Sequence, residues 1–111
     1  MANIAEQIVD MLVKAGVKRI YAVTGDSLNK INDAVRKDGR IQWIHVRHEE
    51  TGAFAAGAEA QLHGDLACCA GSSGPGHVHL INGLYDAHRS GAPVLAIAST
   101  IISGEFGTTY F

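Results

Sequence analysis

Apolar residues along this chain follow two spacings, one helical and one extended, in regular alternation. Four segments are predicted to be helical, the last of them after a glycine-rich turn: 3–16, 26–39, 49–64 and 74–91. Four shorter runs, rich in β-branched or continuous apolar residues, are predicted to be strands: 17–25, 41–46, 65–72 and 92–100. This alternation favours an α/β fold, a doubly wound parallel sheet with helices on both faces.

The helix ends carry ordinary start and stop signals. Asp26 and Ser27 are both good N-caps for the second helix, and Gly16 follows the first. We therefore expect the second helix to begin at one of these two side chains.

Composition places residues 1–111 in the class of single globular domains. Apolar residues make up 47% and charged residues 18%, and the formal net charge is −2. No basic stripe favours nucleic acid, and no run has the features of a signal peptide or a membrane span. The adjacent Cys68 and Cys69 are expected to be reduced, buried strand residues of a cytoplasmic protein.

Four loops follow the predicted strands, and they hold the unusual residues of the chain. In an open α/β sheet, ligands bind beyond the carboxyl ends of the strands. The loops there read "TGDSLN", "RHEET", "AGSSGPGHVH" and "STIISGEFGTTYF". The chain ends after the last loop without a closing helix, which favours a fold truncated at its C-terminal end or one that depends on partners.

The loop "GSSGPG" has two interpretations. A glycine-rich turn before a helix can bind an anion, but neither the dinucleotide fingerprint nor the P-loop motif is met. A tight turn with Pro75 at the start of a helix is therefore favoured. The pairs His77 and His79, and His45 and His48, lack a third metal ligand at a supporting spacing, so no metal site is predicted.

Glu49 and Glu50 begin a helix made almost entirely of alanine and glycine. Acids in a first helical turn interact favourably with the helix dipole, which would account for either of them. Such small residues also let a ligand or another helix approach the backbone closely. A carboxylate held in that dry place would be suited to proton transfer, so both interpretations stay open from the residues alone.

At this point the sequence resembles a known family, over essentially its whole length. The segments "VKRIYAVTGDSLN", "RHEETGAFAAGAEAQL", "CAGSSGPGHVHLINGLYDAHRSGAPVLAIA" and the final "YF" resemble the N-terminal pyrimidine-binding domain of thiamine-diphosphate enzymes. Within that family, "GDSLN" and "GAEAQL" resemble the pyruvate oxidases and the ubiquinone-dependent pyruvate dehydrogenases. Four loops match in order, which makes the resemblance specific.

The resemblance implies a catalytic role for Glu49, whose carboxyl group would hydrogen-bond N1′ of the aminopyrimidine. It implies that Ser27, Ser72, Pro75 and His79 also contact this half of the cofactor.

Two further positions follow from the same resemblance. Phe111 would lie at the edge of the site, near flavin and substrate. Glu50 would be a structural cap or an interface residue.

The reaction that the resemblance implies is oxidative decarboxylation of pyruvate to acetate and CO₂. Thiamine diphosphate, FAD and Mg²⁺ would be the cofactors, and a quinone would accept the electrons. The resemblance also implies a homo-oligomer, dimer or tetramer, that is cytoplasmic and contacts the inner membrane only peripherally through its far C-terminal region.

The flavin domain and the domain that binds diphosphate and Mg²⁺ are absent from these 111 residues. We therefore predict an incomplete pyrimidine-binding domain, holding half of a cofactor site and inactive alone. The alternatives are a stand-alone interaction or dimerisation domain, or a fragment of an acetolactate synthase or of a non-oxidative 2-keto acid decarboxylase.

Overall fold

The computed structural model describes residues 1–109 of the chain. Four parallel strands form one sheet: β1 (Arg19–Ala22), β2 (Gln42–His45), β3 (Ala67–Gly71) and β4 (Val94–Ala98). The α-helices are α1 (Ile4–Lys14), α2 (Asn29–Asp38), α3 (Glu49–His63), α4 (Pro75–Val78) and α5 (Ile81–Arg89). Short 3₁₀ turns cover Asp26–Leu28 and Ser103–Glu105.

The strand order is β2-β1-β3-β4, so the chain builds the sheet outward in both directions from β1. Ile20 of β1 pairs with Trp43 on one side and with Cys68 on the other. The direction of strand addition therefore reverses between β1 and β3, and this is the place where doubly wound sheets bind ligands. The predicted fold class, a doubly wound parallel sheet, is confirmed.

One face of the sheet is covered by α1 and α2. The core on this side consists mainly of branched aliphatic side chains, with Val9 and Leu12 from α1 and Val35 from α2 packed over Ile20. Leu28, in the turn after β1, is fully buried in the same core. Helices form here because their apolar positions recur every three or four residues and face the sheet.

The other face is covered by α3 and α5, and its core is made of small residues. Ala53, Ala56 and Ala60 form the buried stripe of α3. A Cβ atom at Gly83 of α5 would lie 2.4 Å from the Cβ of Ala53, a separation too short for two carbon atoms. The two helices therefore touch backbone to backbone, as the alanine and glycine content of α3 predicts.

Adjacent residues of β3 contribute to the two different cores. Cys68 belongs to the core under α1 and α2, and Cys69 to the core under α3. Both are buried and free, which confirms the prediction of reduced strand cysteines.

Two local predictions were wrong. The second helix does not begin at Asp26 or Ser27, because residues 26–28 form a 3₁₀ turn and the Ser27 hydroxyl bonds across to other loops instead of capping. The single helix predicted within 74–91 is divided in two. The Leu80 amide donates to His77 O, three residues back, which tightens the backbone between α4 and α5.

Strand β4 lies at the edge of the sheet and, among residues 1–109, pairs only with β3. Within the same part of the chain, no helix combines the length and the apolar character that crossing a membrane requires.

Candidate functional site

The site is built where the loops after β1, β3 and β4 meet the start of α3. Because the four strands are parallel, their carboxyl ends lie along one edge of the sheet, and so do the residues that follow them. Ser27, Ser72 and Ser99 come from these three loops, and Glu49 is the first residue of α3, which follows β2.

The three serine hydroxyl groups form a hydrogen-bonded chain. Ser27 Oγ lies 2.8 Å from Ser72 Oγ and 2.7 Å from Ser99 Oγ. Ser99 Oγ donates to Gly71 O at 3.1 Å, and the Ser73 amide donates to Ser27 Oγ at 2.9 Å.

These contacts fix the direction of each proton. A hydroxyl group has one proton, and that of Ser99 goes to Gly71 O, so Ser99 accepts from Ser27. Ser27 has then used its own proton and must accept from Ser72. The loops after β1, β3 and β4 are thus joined by one directed chain that holds Ser72 in place.

Glu49 is the first residue of α3, and its side chain is only 12% exposed. Its Oε2 atom lies 3.0 Å from Nδ1 of His79, whose side chain is 42% exposed. Within residues 1–109, no hydrogen bond engages the other oxygen, Oε1. One carboxylate oxygen is therefore held by the protein, and the other has no hydrogen-bond partner among the described residues.

Gly76 brings the serine chain and Glu49 to one place. A Cβ atom at this position would lie 3.2 Å from the Cβ of Ser72 and 3.4 Å from Oε1 of Glu49. Because glycine has no Cβ, the backbone of α4 passes close to both groups without filling the space beside the carboxylate. Pro75, at the start of α4 as predicted, lies next to it.

The start of α3 is held by two further contacts. Nδ1 of His48 accepts a hydrogen bond from the Glu50 amide at 3.2 Å and so serves as the N-cap of the helix. Oε2 of Glu50 accepts from Asn82 Nδ2 of α5 at 3.1 Å. Glu50 therefore joins α3 to α5, while the ring of His48 stacks on that of His79 at 4.3 Å.

The structure thus brings together two pairs of the predicted site residues, Ser27 with Ser72 and Glu49 with His79. Phe111 lies outside the described residues. Sequence reasoning missed Ser99, and it considered His48 only in a pair with His45 that lacks a third metal ligand. Ser99 could have been found from its place after the fourth strand, because the predicted topology brings that loop to the same edge.

A cleft of about 210 Å³ adjoins the serine chain at Ser27. Its lining combines the acids Asp26 and Glu105 with Ser27 and the apolar Ile101 and Ile102. Glu49 and His79 are not among its lining residues, so this cleft does not include the carboxylate.

Fold and site together define a doubly wound ligand-binding domain with a largely buried carboxylate at its topological switch point. The model of the thiamine pyrophosphate enzyme family, N-terminal TPP binding domain, matches residues 2–111. The chain belongs to this family, which confirms the resemblance to thiamine-diphosphate enzymes at that level.

Known proteins of three kinds are similar to the chain. It is 64% identical over 113 residues to the "Uncharacterized 42.6 kDa protein in isoamylase 3'region" of Pseudomonas amyloderamosa, covering 100% of the chain and 28% of that protein. It is 48% identical over 103 residues to pyruvate oxidase of Lactiplantibacillus plantarum, covering 92% of the chain and 16% of that protein. It is 36% identical over 101 residues to acetolactate synthase of Bacillus subtilis, covering 91% of the chain and 18% of that protein. The chain therefore spans less than a third of the length of each of these relatives.

The residues present fit the aminopyrimidine half of the family's cofactor. The free Oε1 of Glu49 offers a hydrogen-bonding partner to a ring nitrogen, and Gly76 leaves room beside it. Membership of this family supports thiamine diphosphate as the cofactor.

Proposed function

We propose that this chain binds the aminopyrimidine of thiamine diphosphate and forms the N-terminal part of a pyruvate oxidase. In this proposal the whole enzyme converts pyruvate to acetate and CO₂, with FAD and Mg²⁺ as further cofactors and a quinone as electron acceptor. The observation that carries the proposal is the carboxylate of Glu49, held through Oε2 by His79 and free at Oε1 beside Gly76.

Glu49 is the catalytic residue of the proposal because it would hold a proton at Oε1 and share it with N1′ of the pyrimidine. Thiamine diphosphate supplies the electron sink that lets a 2-keto acid lose CO₂. The protein contributes a largely buried position for the carboxyl group, and burial strengthens a hydrogen bond there. His79 orients the carboxyl group through Oε2, and the serine chain fixes the wall of the site at Ser72.

The choice of pyruvate oxidase is supported by similarity. The chain is 48% identical to a pyruvate oxidase over 103 residues, against 36% to an acetolactate synthase over 101 residues. Pyruvate is the substrate that this comparison favours.

We further propose that the protein is a cytoplasmic homo-oligomer, dimer or tetramer. Phe54 and Leu62 on α3, and Ile81 and Tyr85 on α5, expose large apolar side chains on the helices beside the site. Contact between subunits through this surface would remove it from water. Membrane contact, if the enzyme makes it, would be peripheral and through parts of the protein outside this chain.

The proposal is tested with two chimeric enzymes. The segment of the L. plantarum pyruvate oxidase that aligns with the chain is replaced by the chain itself, and the same exchange is made in the B. subtilis acetolactate synthase. We expect pyruvate-dependent reduction of an electron acceptor by the first chimera and no acetolactate formation by the second. The reverse result would assign the chain to acetolactate synthases.

The role of Glu49 is tested in whichever chimera is active. Glu49→Gln should lower kcat by about 10²–10⁴-fold, because general acid–base groups contribute that much. Glu50→Gln is the matched control, since its side chain bonds Asn82 rather than lining the space beside Gly76. Equal losses in the two variants would argue against a catalytic role specific to Glu49.

The isolated chain should show no pyruvate turnover when thiamine diphosphate, FAD and Mg²⁺ are added. A second candidate function, a non-catalytic interaction domain, is favoured by the exposed apolar side chains of α3 and α5. It would be supported if neither chimera is active although both are folded.

A further inference from the structure

A cluster of three potential metal ligands lies at the start of α3. One donor atom each from His48, Glu49 and His79 lies within 4.8 Å of the others. Both histidines are exposed, and Glu49 is partly buried. His48 and Glu49 lie at the start of α3, and His79 lies 30 residues beyond Glu49, which explains why sequence spacing did not predict the cluster.

We propose that His48, Glu49 and His79 form a binding site for a divalent transition-metal ion, with Zn²⁺ as the representative ion. Two imidazoles and one carboxylate are the donor set of open zinc sites, which keep a fourth position for water or another ligand. Mg²⁺ and Ca²⁺ prefer oxygen donors and would bind poorly to a set with two nitrogens.

The distances suit an ion after small side-chain rotations. Donors about 2.0–2.1 Å from a tetrahedral Zn²⁺ lie about 3.4 Å from one another. Nδ1 of His79 and Oε2 of Glu49 are already 3.0 Å apart. The widest separation in the cluster is 4.8 Å at most, and the exposed imidazole rings of His48 and His79 would have to rotate to shorten it.

Binding changes two existing hydrogen bonds. The ion takes the place of the proton between His79 and Glu49, and that proton leaves to solvent. A neutral imidazole has one lone-pair nitrogen, so His48 cannot bind an ion and still accept from the Glu50 amide. Ion binding should therefore release the N-cap of α3, which gives the site a distinctive signature.

Occupation by an ion would exclude the thiamine cofactor, and this part of the inference rests on the proposed function. The carboxylate that the proposed function assigns to N1′ of the pyrimidine is the one that would bind the ion. The metal site would then act as a point at which transition-metal ions inhibit the enzyme.

The first experiment uses the chain and Zn²⁺ alone. Isothermal titration with ZnCl₂ should give one ion per chain, with a dissociation constant weakened about tenfold or more in His79→Asn, His48→Asn and Glu49→Gln. Asparagine at position 48 keeps an N-cap, so that variant should still fold. His63→Asn is the matched control, because His63 ends the same helix and lies outside the cluster.

A second readout separates a real site from scattered surface histidines. On addition of Zn²⁺, the NMR signal of the Glu50 amide should shift as its hydrogen bond to His48 is lost, while that of Gly64 at the far end of α3 should not. Absence of stoichiometric binding, or equal weakening by His63→Asn, would overturn the proposal.

Competition is measured afterwards in the active chimera, with Zn²⁺ and thiamine diphosphate added in either order. Raising the cofactor concentration should relieve inhibition in the parent, and His48→Asn should lower sensitivity to Zn²⁺ about tenfold. If Zn²⁺ binds without competing with thiamine diphosphate, the result would support the metal site and count against the assignment of Glu49 to the pyrimidine. Competition without His48 dependence would overturn the metal site.

Discussion

The two faces of the sheet are packed by different means. Under α1 and α2, branched aliphatic side chains such as Val9, Leu12 and Val35 fill the space between helices and sheet. Under α3 and α5, alanine and glycine bring the helices themselves into contact, as at Gly83 and Ala53. The first arrangement buries much apolar area, whereas the second buries little per residue and depends on close fit.

This difference matches the position of the candidate site. Glu49 begins α3, and Glu50 is tied to Asn82 of α5, so the closely fitted face carries the proposed catalytic carboxylate. A face that tolerates little displacement holds such a group in a fixed position, while the aliphatic face supplies most of the hydrophobic stabilisation.

The largest effect is expected on the aliphatic face. Leu28→Ala removes a fully buried side chain and leaves a cavity, so the free energy of unfolding should fall by about 2–5 kcal/mol. Urea denaturation measures this. Ile4→Ala, at an exposed position of α1, is the control and should change stability by less than about 0.5 kcal/mol. Similar losses in both would mean that Leu28 does not anchor this core.

On the small-residue face, one added methyl group should be enough to destabilise the protein. A Cβ at Gly83 would lie 2.4 Å from Ala53 Cβ and 2.7 Å from the backbone nitrogen of Phe54, and backbone cannot yield easily. Gly83→Ala should therefore lower the free energy of unfolding by about 1–3 kcal/mol, although alanine favours helix.

Gly57 provides the matched comparison on the facing helix. A Cβ there would lie 3.5 Å from Ala87 Cβ, an ordinary contact. Gly57→Ala should therefore stabilise the protein by up to about 1 kcal/mol through helix propensity. If both alanine variants proved more stable than the parent, the helices would not be in the close contact described.

Cys68 and Cys69 allow the two cores to be compared directly, since each side chain lies in a different core. Burial raises the pKa of both thiols from 9.0 to about 12. The unfolded chain therefore loses these protons first, and the stability they contribute is present below pH 9 and lost as the pH rises toward 12. The free energy of unfolding should fall by about 1.4 kcal/mol per pH unit for each thiol in this window.

Cys68→Ala and Cys69→Ala should each remove the contribution of one thiol to the fall of the free energy of unfolding with pH. Urea denaturation between pH 8 and pH 11 measures this fall. Equal reductions would mean that both cores exclude water equally from the strand between them. A reduction confined to Cys68→Ala would mean that the α3 side admits water.

Much of the fold followed from the sequence because hydrophobic spacing is a local signal. The alternation of strands and helices predicted the doubly wound sheet, and the alanine and glycine of 49–64 predicted close helix contact. The start of the second helix was predicted wrongly, because Asp26 and Ser27 were chosen as caps on local preference. The Ser27 hydroxyl has three polar neighbours from distant loops, and these tertiary contacts override the local preference.

The location of the site was predictable from the sequence, but the contacts between its side chains were not. The loops at the carboxyl ends of the strands pointed to Glu49, whose catalytic role stays a prediction. The pairing of His79 with Glu49 and the stacking of His48 on His79 depend on loops 30 residues apart meeting in space. No spacing rule for a single segment contains that information.

The free edge of β4 has a consequence for the behaviour of the chain at high concentration. The strand reads VLAIA and carries no charge, and among the described residues one of its edges is unpaired. Such an edge is a template for strand addition from a second molecule, which is how ordered aggregates grow. Isolated chains should therefore aggregate slowly with a gain in β-structure, and Leu95→Lys, at an exposed position of this strand, should slow the process as followed by light scattering.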